Sequence, residues 1–165
     1  MDDTRASATP RNWAGYQQAV VDIRLADRTV RVVPGPQGTA EGHFPGPAGH
    51  TIHVITACNP FGRTASVEDN RRAQELLFRE IGRRRLVWWP AAGGTVCGAH
   101  VEESAAIVGL SDAEARELGL HFGQDAVFAW APDAWRLLSC SSDETAVSGW
   151  TMSTQKRRDP GPRHT

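Results

Sequence analysis

The order of periodicities between residues 51 and 130 constrains this chain more than any other feature. It reads strand, helix, strand, strand, helix, strand, and only Ala91-Ala92-Gly93-Gly94 joins the two middle strands. A parallel pair needs a crossover of about a dozen residues or more, so a link this short makes that pair antiparallel and disfavours a doubly wound parallel sheet.

Each element carries its own local signature. The apolar run Thr51-Ile52-His53-Val54-Ile55 reads as a strand, closed by the polar corner Thr56-Ala57-Cys58-Asn59-Pro60. Ser66 is placed to cap a helix, with Asp69 at the position from which a capping acid reaches back. Ala73, Leu76, Leu77 and Ile81 form its buried stripe, and Gly82 with Arg83-Arg84-Arg85 ends it. Leu86-Val87-Trp88-Trp89 is a strand that Pro90 stops. Trp88 and Trp89 point to opposite faces, so one of them leaves the core unless the sheet is covered on both sides. A longer strand is expected over 99–108, with His100, Glu102, Ser104 and Ala106 on one face. Ser111-Asp112-Ala113-Glu114 is a capping box for a second helix over 112–122, which Gly123 ends. Strands over 126–130 and 135–140 follow, parted by the Pro132-Asp133 turn.

This order is that of a split βαβ pair, and the expected fold class is α+β: a ferredoxin-like βαββαβ sandwich, an antiparallel sheet with two helices on one face. Residues 19–25 and 29–33 form an N-terminal β-hairpin that, with the extra C-terminal strand, extends the sheet or covers an edge. Residues 34–49, dense in Pro and Gly, read as a long surface loop. At 165 residues one domain is expected, over 13–142, between a disordered leader at 1–12 and a disordered tail at 143–165.

Composition acts mainly by exclusion. A formal net charge of -1 spread over an ordinary 22% of charged residues implies no charge field for nucleic acid or for a membrane surface. The apolar run over 126–131 falls far short of the roughly 20 residues that span a bilayer, and Met1-Asp2-Asp3-Thr4-Arg5 is no signal-peptide start. Three widely spaced cysteines, Cys58, Cys97 and Cys140, suit reduced thiols, and a cytoplasmic location is expected. Of the 18 Lys and Arg residues only Lys156 is lysine, which excludes a Walker-type phosphate loop, a pyridoxal Schiff base and a lysine nucleophile from the folded part. His43, His50 and His53 match no zinc spacing, so no metal is expected.

The residues left to carry function gather around the first corner. Thr56 and Asn59 end the central strand, and Asn70 lies on the inner face of the next helix, one turn beyond the cap. A pair of carboxamides suits recognition of an amide, a base edge or a carboxylate; the structural alternative is that both satisfy nearby backbone groups. Glu102, a carboxylate in mid-strand, implies a wet face or a waiting partner and is the candidate general base. Ser104 shares its face, and Gln124 follows the second helix cap. Cys58 reads as a buried, inert thiol rather than a nucleophile.

Thr56-Ala57-Cys58-Asn59-Pro60, Asn70 within Ser66-Val67-Glu68-Asp69-Asn70, Glu102-x-Ser104 and Phe122-Gly123-Gln124-Asp125-Ala126-Val127-Phe128 resemble, in that order, the signatures of the domain-of-unknown-function 3293 family, small proteins of bacteria. The resemblance spans residues 16–128 and implies membership without implying an activity or a cofactor. The expectation is therefore a small polar ligand, nucleotide- or amino-acid-like, held by Thr56, Asn59, Asn70, Ser104 and Gln124 beside Glu102. The rival expectation is an interaction module that binds a partner protein through the sheet face or an exposed tryptophan.

Overall fold

Apolar residues on both faces of the strands decide what this sheet becomes. In a computed structural model that describes residues 12–95, 97–98 and 100–156, the chain runs α1 (Trp13–Gln17), β1 (Val20–Arg24), β2 (Arg28–Gly35), β3 (Ala40–Glu41), β4 (Ile52–Ile55), a 3-10 turn (Pro60–Gly62), α2 (Val67–Arg83), β5 (Val87–Gly94), β6 (Val101–Val108), α3 (Asp112–His121), β7 (Ala126–Ala131), β8 (Ala134–Ser139) and β9 (Thr145–Lys156). Neighbours follow the order β2-β1-β5-β6-β4-β7-β8-β9, and β9 returns to β2, so the sheet closes as an eight-stranded antiparallel barrel. The ninth strand, β3, adds a short parallel pairing to β9.

The fold is thus a β-barrel with helices on its outside, and the expected α+β class, with its open ferredoxin-like sandwich, is overturned. One face of the sheet packs under α2 and α3, where Ile55, Ala105, Ile107, Val127 and Leu138 meet Leu77, Ile81 and Leu118. The opposite face is apolar as well, with Val21, Ile23, Val30, Val32, Val54, Ala106 and Trp130 all buried. An open sheet leaves that second face in water, whereas curling the sheet buries it and removes both edges. The N-terminal hairpin joins β5 and the last two strands join β7, and the two flanks meet in the register Gly35↔Gly149 to Arg28↔Lys156.

The tail expected from residue 143 onward therefore contains β9, the strand that closes the ring. Its apolar signal is sparse, because Trp150 and Met152 stand among Ser, Thr and Gly. Trp150 is buried and its indole N–H donates to the Ala131 carbonyl at 3.1 Å. Gly149 lies so close under the β2–β3 connection that a Cβ there would overlap the carbonyl oxygens of Pro36 and Thr39. The expected surface loop over 34–49 holds the end of β2 and all of β3, and its Phe44 sits edge-on to Trp130 with ring centroids 5.0 Å apart. Most of the expected leader, residues 1–11, and residues 157–165 of the expected tail lie outside the described residues. Among the described residues no helix is long and apolar enough to cross a membrane.

Trp88 and Trp89 are both accommodated. Trp88 stacks on Phe78 of α2 at 4.6 Å, and Trp89 packs against the barrel interior. With both faces of β5 covered, neither tryptophan is left as the exposed docking surface that the sequence raised.

One polar cluster pins the helical layer to the barrel. His53, fully buried on the outer side of β4, places Nε2 2.8 Å from Asp112 Oδ1 at the start of α3, and Arg136 of β8 donates to both oxygens of that carboxylate at 2.5 and 3.1 Å. Burial, only partly offset by Asp112, pushes the His53 imidazole below its ordinary value of 6.5. The Arg136 hydrogen bonds hold the Asp112 carboxyl at about 2, below its usual 3.8. Unfolding lets both groups take up protons at higher pH than the folded chain allows, so the unfolded state binds more protons and acid favours it. The melting temperature is expected to fall as the pH drops below about 7 through His53, and again below about pH 4 through Asp112. His53→Gln, which keeps a donor for Asp112 but cannot titrate, should flatten the upper segment; an unchanged slope there in a thermal melt series contradicts the assignment.

Candidate functional site

The corner after β4 is built by side chains that satisfy backbone groups. The Thr56 hydroxyl donates to the Glu103 carbonyl at 2.6 Å and accepts from the Cys58 N–H at 3.0 Å, tying the end of β4 to β6. Asn59 adopts the left-handed conformation (φ 49°, ψ 54°), which asparagine tolerates better than most residues. Its backbone N–H donates to Asn70 Oδ1 at 2.8 Å, and its own Oδ1 accepts from Asn70 Nδ2 and from the Ala65 N–H, each at 3.0 Å. That leaves Asn59 Nδ2, which donates to Glu102 Oε1 at 2.8 Å. Asn70, Asn59 and Glu102 therefore form one chain running from α2 through the corner to β6.

Gln124, buried after α3, donates from Nε2 to the Cys58 carbonyl at 3.0 Å and to the Phe122 carbonyl at 3.3 Å. The Ser104 hydroxyl donates to the carbonyl of Glu102 at 3.1 Å. Gln74, missed in the sequence, accepts the Ala57 N–H at 3.0 Å from a fully enclosed place on α2. Its signal is the helical spacing, four residues beyond Asn70 on the same face.

Most of these groups border one space. The mouth of the barrel, where β4 and β5 end and β6 and β7 begin, holds a cavity of about 670 Å³. Thr56, Asn59, Glu102, Ser104 and Gln124 line it, while Asn70 stands behind Asn59 and supports it. Val54, Ala126 and Phe128 supply an apolar wall, and Tyr16 of α1 adds an aromatic ring whose centroid lies 6.5 Å from that of Phe128. Sequence reasoning finds the polar wall but misses Tyr16 and α1, because a five-residue helix leaves too short a periodicity to read.

Glu102 is the chemically distinct member of this wall. Its side chain is 21% exposed; Oε1 is held by Asn59 and, at 3.3 Å, approached by Nε2 of the largely exposed His100. Oε2 accepts no hydrogen bond from a described residue. Cys58 is buried, its thiol lies 3.6 Å from the Glu103 carbonyl, and burial raises its pKa, which opposes thiolate chemistry. Burial pushes Cys140 up to about 12.

Residues 55–127 match the model of a family described as a protein of unknown function, DUF3293. The match supports assigning the chain to this family. The matched stretch runs from the last residue of β4 into β7 and contains all six residues singled out at the corner, from Thr56 to Gln124. The strands that close the barrel, β1, β2, β8 and β9, lie outside it. No curated protein and no solved structure matches the chain.

Proposed function

We propose that this chain binds a small polar metabolite in the mouth of its barrel, with the Asn59–Glu102 pair as the polar end of the site and Phe128 at the apolar end. What carries the reading is the convergence of five sequence-selected residues on one cavity of about 670 Å³. Small-molecule sites are concave, largely apolar, furnished with a few fixed polar groups, and span about 300–1,000 Å³; barrel mouths are a recurrent location for them. The polar groups are set before a ligand arrives, because all four corner contacts of Asn59 are made within the protein, three to Asn70 and Ala65 and the fourth from Nδ2 to Glu102. A site assembled in advance loses less ordering entropy on binding. A proton released by a bound molecule would pass to Glu102.

The test is a thermal-shift panel of nucleotides, amino acids and amines on the full chain, followed by amide shift mapping of any member that stabilises it. A ligand at a hundred times its Kd is expected to add about 2.7 kcal/mol to stability. Its shifts should cluster at Thr56, Glu102, Ser104 and Phe128. Shifts confined to the outer faces of α2 and α3 would contradict the site.

A further inference from the structure

We propose that the molecule held in the mouth is a cation, a small protonated amine or amidine with an apolar body. The inference rests on the reading of the mouth as a ligand site and names its ligand class. Among the described lining residues the Glu102 carboxylate stands on the polar wall and there is no arginine, in a chain where arginine accounts for all but one of 18 basic residues. A phosphate or a ligand carboxylate placed beside Glu102 meets like charge, at a cost that grows as water is excluded.

Glu102 itself is the stronger indication. Its carboxylate is mostly withdrawn from solvent, and the described residues give it a neutral amide from Asn59 and an imidazole at 3.3 Å rather than an arginine or lysine. Partly buried carboxylates of this kind are ordinarily paired. Here the amide fixes the orientation through one oxygen and leaves the other for a donor that comes from outside. An ammonium or amidinium supplies that donor together with the missing charge. Behind it, Phe128 and the edge-on Tyr16 offer ring faces suited to a cation or to an aromatic body, and Val54 and Ala126 complete an apolar wall.

Three probes that share a phenethyl body separate charge from shape: phenethylamine, phenethyl alcohol and phenylacetate, each titrated into the full chain by calorimetry and amide shift mapping. The amine is expected to bind at least about tenfold more tightly than the alcohol, since it alone brings a positive charge to the partly buried carboxylate. Phenylacetate should bind most weakly. Glu102→Gln, which keeps an acceptor for Asn59, should erase the amine's advantage over the alcohol. Equal binding of amine and alcohol, tightest binding of phenylacetate, or an amine preference that survives Glu102→Gln overturns the cation and leaves the mouth as a site. No response to any of the three probes, or shifts only at residues away from the mouth, overturns both.

Discussion

A chain ended at Asp143 is expected not to fold. Such a truncation removes β9, and with it the pairing that joins β2 to the rest of the barrel from Gly35↔Gly149 to Arg28↔Lys156, along with the β8 pairing from Trp135↔Ser148 to Leu138↔Thr145. Two long edges are then left open, and sheet edges of that length favour association with other chains. Trp150 is lost from a cluster in which its ring lies 5.2 Å from Trp130. Truncating a buried tryptophan alone costs about 3–5 kcal/mol, against a total stability of about 5–15 kcal/mol for a domain. Circular dichroism and tryptophan emission should report an unfolded or aggregated protein. A truncated chain that melts like the full one would mean that residues after 143 are a dispensable tail, as their composition suggests.

That contrast marks where the sequence stops being legible. Elements within 51–131 announce themselves through local chemistry: Ser66 accepts from the Asp69 N–H at 3.0 Å and Ser111 from the Glu114 N–H at 3.1 Å, both as their capping patterns imply. Closure has no such local mark. It depends on β2 meeting β9 across most of the chain, and on a strand in which Val147, Trp150 and Met152 stand among Ser, Thr and Gly. The one legible hint is Trp88-Trp89. Two large aromatic residues on opposite faces of a strand ask for cover on both sides, and a four-stranded sandwich with helices on one face supplies cover on only one.

The site divides along the same line. Asn59, Asn70 and Glu102 are readable because an asparagine after a strand, an asparagine on a helix's inner face and a carboxylate in mid-strand are each out of place for packing alone. Their connection satisfies part of the structural alternative, since Asn70 and most of Asn59 are spent on one another and on backbone groups. Only Glu102 retains an oxygen without a described partner. The cavity that gives this oxygen a use exists because the sheet closes, which is the step that local patterns do not encode.

Gly93→Leu is expected to abolish binding in the mouth while sparing the fold. Gly93 lines the cavity and sits across from Glu102 on β6 and Val21 on β1. A Cβ built there meets only the Ser104 hydroxyl and a Val21 methyl, each at 4.0 Å, so a side chain enters the cavity without displacing the backbone. Its neighbour Gly94 is different, because a Cβ there would overlap the His100 carbonyl. Removing a glycine from a strand interior also lowers the entropy of the unfolded chain, so the melting temperature should hold or rise. Leucine then occupies space that a ligand needs, and its volume lies beside the Glu102 carboxylate. The most direct measurement is a titration of wild-type and Gly93→Leu protein with phenethylamine and phenethyl alcohol, followed by amide shifts and with the melt recorded alongside. A barrel-mouth site requires the folded variant to bind at least about tenfold more weakly, a loss of about 1.4 kcal/mol or more. A folded Gly93→Leu protein that binds the probes as the wild type does would contradict it.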